Sequence, residues 1–216
     1  MAPGGISWSG TARDGFTGLL LNRLMDASPD RAAGLAVQML ASASGEAKLE
    51  FGQVLLNVGK PALPPLISLL DEMETDWQTR VQVLDLMGKL SDSVALPTMA
   101  EHLAHPNVWV RIAAAHALSG IDTREVVPLL VAGLKDSANT VVTASLIALG
   151  KTGDSRAREA SSTLLGHSDP RVRGAAVSAL GRLGGPGVRE SLQDMLEDAD
   201  EGVRYKAQKA LGALIR

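Results

Sequence analysis

Read for its apolar positions alone, the chain repeats itself every 31 residues. Met87, Leu118, Leu149, Leu180 and Leu211 stand at that interval, and three residues after each come Leu90, Ile121, Thr152, Leu183 and Leu214. Val110, Ala113, Ala114 and Ala117 fill out the same pattern in one copy, at the spacing of a helix with a single apolar face. A second, shorter apolar run closes on Leu40, Leu70, Leu103, Leu134, Leu165 and Leu196. The wider gap between Leu70 and Leu103 contains "DEMETDWQT", an acidic loop that reads as a two-residue insertion. The pattern predicts tandem helical hairpins, each with a leading and a second helix.

Polar positions set the phase. Arg80, Arg111, Val142, Arg173 and Arg204 form one column, and four residues earlier stand Asp76, Asn107, Ala138, Asp169 and Asp200. Asp and Asn at a helix start accept hydrogen bonds from the first, otherwise unpaired amides, and Pro170 occupies a first-turn position where a missing N–H costs nothing. Each leading helix is therefore predicted to begin at its Asp or Asn. Residues four apart share a helix face, so the Asp and Arg are expected to pair. Both are missing from the fifth copy, and the second has Ser44 and Lys48 instead. The arginine is read as a structural residue that holds a turn or a neighbouring repeat, not as a phosphate ligand. Gly88, Gly150, Gly181 and Gly212 are expected near the helix ends, with Gly or Asp residues after them punctuating a turn.

The stretch "DPRVRGAAVSALGRLG" resembles the HEAT-like repeat of the phycobilisome-lyase type, clearly over residues 44 to 216 and more loosely over 16 to 43. The fold expected is all-α, a right-handed α-solenoid of about six helical hairpins and a final single helix. Its repeats fall at 16–43, 44–74, 75–104, 105–135, 136–166 and 167–197, with a half repeat at 198–216, after a flexible segment 1–15. Residues 16–216 are expected to form one domain. Such solenoids serve many roles, so the resemblance speaks to fold before function.

Composition narrows the chemistry. Apolar residues make up 45% of the 216 and aromatics only 3%, which favours closely packed helices over sheets. Without cysteine there is no disulfide framework, thiolate metal site or cysteine nucleophile. The start "MAPGGISWSGTARDGF" lacks a basic segment followed by an apolar run, and no stretch nears the roughly 18 apolar residues of a membrane span. A cytoplasmic protein without membrane insertion is expected. Net charge is −3, with the acidic excess in residues 1–150 and a slight basic excess after them.

The exposed faces suggest a partner. By the family resemblance, the second helices line a concave surface, and helical phase puts the positions two, five and six before each closing leucine outward. These include Pro97, Glu101, Pro128, Leu129, Ala132, Glu159 and Glu190, with no Lys or Arg in any of the six triplets. Nucleic-acid affinity rests on cations, so this face predicts a protein or peptide partner bearing an apolar anchor and a basic stretch, and no nucleic acid. On the leading helix of the fourth repeat, Trp109, Ile112 and His116 share the face opposite the core stripe. Tryptophan is enriched at binding hot spots, making this repeat the preferred docking site. The last helix carries Val203, Ala207, Leu211 and Leu214 with no partner helix after it, so self-association there is a further expectation.

No catalytic constellation emerges. His105 and His167 share a column two repeats apart, too far for one metal at a helix spacing of about 8–10 Å, and are read as helix-end histidines favoured by the dipole. Deoxyhypusine hydroxylases resemble this architecture but hold iron through His-Glu dipeptides, whereas Glu101-His102 runs in the reverse order. HEAT-like alkylpurine DNA glycosylases rely on a basic, tryptophan-lined groove that the second-helix positions lack. "GRLGGPG" lacks the flanking strand and Lys-Ser/Thr of a phosphate loop, and Asp71, Glu72, Glu74 and Asp76 do not match a calcium loop. Neither cofactor nor metal is expected. The expected function is a non-catalytic scaffold or adaptor that recognises a protein or peptide. The resemblance also implies two alternatives: a bilin lyase-like, chromophore-handling subunit, and a self-associating structural module.

Overall fold

The computed structural model describes residues 28–43, 45–72 and 76–214. Segment 1–15, most of the first leading helix, Ser44 and Glu74 lie outside the described residues. Every regular element among the described residues is helical. They fall into two compact units that meet in sequence at Thr75 and Asp76.

The first unit contains α1 (Pro29–Ser42), α2 (Glu46–Val58) and α3 (Leu63–Glu72), the last entered through a 3-10 turn at Lys60–Ala62. Ala33, Ala36, Val37 and Leu40 of α1 are buried, as are Phe51 and Leu55 of α2 and Leu63, Leu66 and Leu70 of α3. Phe51 and Leu55 stand three and seven residues after Lys48, the phase that the arginine column predicts.

The second unit alternates long leading helices with short second helices. The leading helices are α4 (Trp77–Leu90), α6 (Val108–Leu118), α8 (Asn139–Thr152), α10 (Pro170–Leu183) and α12 (Glu201–Ala213). The second helices are α5 (Leu96–His102), α7 (Val126–Gly133), α9 (Ala157–Ser162) and α11 (Val188–Asp194). Leading helices pack on their successors, α4 on α6, α6 on α8, α8 on α10 and α10 on α12. Positions three and seven after the arginine column form the spine: Val83, Ala114, Ser145, Ala176 and Ala207, then Met87, Leu118, Leu149 and Leu180, are all buried.

The predicted caps are present. Asp76, Asn107 and Asp169 accept from the backbone N–H of Gln78, Trp109 and Arg171, and Asp200 accepts from that of Val203. For Arg111 and Arg173, pairing with the cap four residues earlier gives way to a longer reach. Arg111 binds Asp136 through two bonds, Nε to Oδ2 at 2.7 Å and Nη2 to Oδ1 at 2.9 Å. Arg173 holds Asp198 in the same fashion, at 2.8 and 2.7 Å. Each arginine also donates through Nη1 to two carbonyls of its own incoming turn, His105 and Pro106 or His167 and Ser168. A planar five-donor guanidinium bridges both turns at once, which a local i,i+4 pair would not achieve. Asp169 is engaged instead by Arg171 and by Asn139 of the preceding repeat.

His105 and His167 stand where the other two repeats have Asp136 and Asp198. All four accept from the backbone N–H two residues on, through Nδ1 in the histidines and Oδ1 in the aspartates. The histidines are thus turn-closing acceptors, not dipole partners. Burial first, then the charge of Arg80, lowers the His105 imidazole below its ordinary value.

Gly88, Gly150 and Gly181 fall within the last turn of their helices, and the chain turns at the residues after them. A Cβ on Gly88 would come within 2.7 Å of the Ala117 Cα, and one on Gly150 within 2.8 Å of the Ala179 Cα. These glycines exist for close approach by the next leading helix; the left-handed turn residue after α8 is Gly153. The closing leucines Leu40 and Leu70 of the first unit are fully buried, whereas those of the second unit are not the deepest residues of their helices. Leu103 and Leu134 are helix-ending caps and half-buried, and Leu196 is exposed in a 3-10 turn while Met195 is buried. The deep positions there come four residues earlier, at Met99, Leu130, Ser161 and Leu192.

Candidate functional site

On the leading-helix face of the second unit, α4 and α6 part to leave an open cleft of about 730 Å³. Its floor is shallow in side chain because Gly88 has none and Ala113 and Ala117 have one carbon each. Trp77 and Trp109 flank it, Val81 and Ile112 line the middle, and Asp85, Lys89, His116 and Lys151 stand at the far end. The cap geometry that starts α4 and α6 places both tryptophans in the first helical turn, where no preceding turn covers them. Trp109 is 57% exposed and Trp77 36%. Lys89 is neutralised by Asp85, with Nζ 2.7 Å from Oδ2. Partial desolvation and the charge of Lys151 lower the His116 imidazole below its usual value, with Asp85 acting in the opposite direction. The cleft therefore presents an apolar centre and a neutral imidazole near pH 7.

A polar hollow of about 370 Å³ adjoins it, sharing Ser119, Gly120 and Lys151 and reaching Arg124 and Asp154. Hydrogen bonding by Arg156 pulls the Asp154 carboxyl down to about 2.

Trp109, Ile112 and His116, grouped from helical phase, line one cleft. The remaining candidates lie on the second helices. Pro97, Glu101, Pro128, Ala132, Glu159 and Glu190 are exposed and Leu129 is half-buried, while their neighbour Thr98 turns inward. Glu159 also lines a separate hollow of about 430 Å³ with Arg156 and Arg158. Arg158 is held there by a 2.8 Å bond from Nε to the Gly184 carbonyl. That hollow and the Trp109 cleft involve different helices. Trp77 escaped the phase argument because it follows the insertion in "DEMETDWQT", although its place just after the Asp76 cap was legible.

Among the described residues, no group of three or more His, Asp or Glu is arranged to hold a metal ion. No helix among them is long and apolar enough to cross a membrane.

Comparison with known proteins agrees with this architecture. The family model for HEAT repeats matches residues 63–150 and 143–212. The complex of CpcE and CpcF of phycocyanin lyase from Nostoc sp. PCC7120 is similar, with 26% identity, 84% of this chain and 76% of that chain covered, and a TM-score of 0.58. An engineered protein matches at 19% identity over 92% of this chain and 96% of its own, with a TM-score of 0.56. A designed armadillo repeat protein in complex with peptide (KR)4 matches at 21% identity, covering 92% and 98%, with a TM-score of 0.55. No curated protein matches the chain significantly in sequence. With well over half its length matched, the chain belongs to the HEAT repeat family.

Proposed function

We propose that the protein is a non-catalytic HEAT-repeat scaffold that binds a protein or peptide, seating an apolar anchor of that partner between Trp77 and Trp109. The observation that carries this reading is the pair of solvent-facing tryptophans across one concave, apolar-centred cleft. Burying an aromatic ring removes a large apolar area from water, and interface cores concentrate tryptophan for that reason. The exposed row Pro97, Glu101, Pro128, Ala132, Glu159 and Glu190, with half-buried Leu129, offers a second contact area on the opposite helices, suited to a basic stretch. Affinity capture from the native cell with the full chain and with Trp109→Asp tests the reading. Specific partners should be lost from the variant while its far-UV circular dichroism is unchanged. Equal capture by both proteins would end the proposal for this cleft.

A second reading is favoured by the likeness to the CpcE and CpcF complex: one subunit of a two-chain, chromophore-handling assembly. Co-expression with a bilin distinguishes the two, because visible absorbance that co-purifies with the chain supports only the second.

A further inference from the structure

We infer that the leading-helix face takes an acidic polypeptide segment, one whose apolar anchor fills the tryptophan cleft and whose carboxylates follow a row of cations toward α12. This rests on the cleft being the anchor site and adds the partner's charge and its direction of travel.

The cleft is lined by residues one, five and nine after the arginine column, such as Val81, Ile112, His116 and Lys151. Because the helices repeat, the same columns continue the face beyond the cleft. The fifth position gives Ile147, 37% exposed, then the half-buried Ser178 and the exposed Lys209. The ninth position gives Lys151 and Arg182, and the first ends in Tyr205, 65% exposed. Beside Tyr205, Lys206 lies flat across α10, its Nζ 2.8 Å from where a Cβ of Gly174 would stand. The cations on this face thus begin with Lys151 on α8 and continue with Arg182 on α10 and Lys206 and Lys209 on α12, with Ile147 and Tyr205 between them.

Neutralisation is uneven along it. Lys89 is paired with Asp85 and Arg171 with Asp169. No ion pair is formed by Lys151, Arg182, Lys206 or Lys209 among the described residues. Glu201, at the opposite end of α12 from Lys209, is the acid left on that helix's outer side. Unpaired cations beside an apolar cleft are complementary to an amphipathic acidic segment, and such complementarity sets register and specificity. Four cations are few for a nucleic-acid track, whose affinity comes from many phosphate contacts.

The test is selection of a random phage-displayed peptide library on the immobilised full chain, followed by fluorescence anisotropy with the selected peptides. The expected result is enrichment of an apolar or aromatic residue followed by Glu and Asp. Arg182→Glu/Lys209→Glu should weaken those peptides about tenfold, since two exposed charge reversals act together, and the deficit should shrink in high salt. Glu197→Lys, in the exposed turn after α11 and outside both contact areas, should change nothing. Peptides that depend on Trp109 but bind equally to the charge-reversed chain would leave the cleft standing and overturn the acidic segment. Failure to enrich any Trp109-dependent peptide would overturn both. Tighter binding of an oligo(dT) probe or of phosphatidylserine vesicles than of the selected peptides, with the same sensitivity to charge reversal, would replace the polypeptide by another anion.

Discussion

Gly150 and Gly212 occupy the same column, eight residues after Val142 and Arg204, yet only one of them touches anything. A Cβ on Gly150 would come within 2.8 Å of the Ala179 Cα in the next leading helix, whereas among the described residues beyond its own helix backbone and chain neighbours nothing lies within 4 Å of a Cβ on Gly212. The same contrast holds four residues after the arginine column. Leu84, Ala115, Leu146 and Val177 are buried there, and Gln208 of α12 is exposed. Inner and last repeats therefore share a local helix signature and differ in what their outward columns must meet. Much of the repeat signature encodes the neighbour, not the hairpin itself.

The largest effect expected from that contrast is at Leu146. Leu146→Gln buries an amide among Val142, Val172, Ala175 and Ala176 and should cost about 3–5 kcal/mol. Gln208→Leu should leave the denaturation midpoint nearly unchanged. Comparable losses in the two variants would show that the column reports helix propensity alone.

A smaller loss is expected where repeats are tied by charge. Arg111 hydrogen bonds hold the Asp136 carboxyl below its ordinary value. A carboxyl whose folded value is depressed adds stability that is complete above its unfolded value of about 3.9 and is lost as pH falls through the folded one. Arg111→Met should therefore melt several degrees below wild type at pH 7, with the gap closing below about pH 4. A gap that stays constant into acid would assign the loss to packing of the arginine stem.

The smallest effect lies at Ser145, fully buried in a spine that otherwise runs Val83, Ala114, Ala176 and Ala207. Its hydroxyl has no hydrogen-bond partner among the described residues. Ser145→Ala should raise stability by up to about 1 kcal/mol, because removing an unsatisfied buried hydroxyl leaves the packing intact. Thermal denaturation showing a loss instead would mean the hydroxyl is satisfied in solution.

What could be read from the sequence was whatever depends on residues close together along the chain. Asp169 as a cap, Pro170 in the first turn and Leu180 in the spine follow from helix rules that operate within one or two turns. The same rules grouped Trp109, Ile112 and His116. Where the partner lies in the next repeat, they mislead. Arg173 meets Asp198 across 25 residues, not Asp169 across four, because the intervening second helix returns the chain to its side. Gly181 reads from the sequence only as a residue near a helix end; its contact with the next repeat, 2.6 Å between its would-be Cβ and that of Ala210, shows only in the structure. How deep each closing leucine sits was likewise not legible: second helices as short as α5 and α9 end before their last apolar residue can face inward. The basic continuation through Lys151, Arg182, Lys206 and Lys209 follows from the repeat columns, but it becomes visible only once the cleft shows which columns face out.

The claim that binds the rest is that this column of glycines serves contact between neighbouring leading helices, and the melting temperatures of Gly150→Ala and Gly212→Ala test it side by side. Alanine ordinarily favours a helix over glycine by about 1 kcal/mol, so Gly212→Ala should melt higher than wild type. Gly150→Ala should melt lower, since overpacking against the Ala179 backbone costs about 1–3 kcal/mol. If both substitutions raised the melting temperature, the helices would not approach as closely as described, and the register on which the cleft and its charged continuation depend would be contradicted.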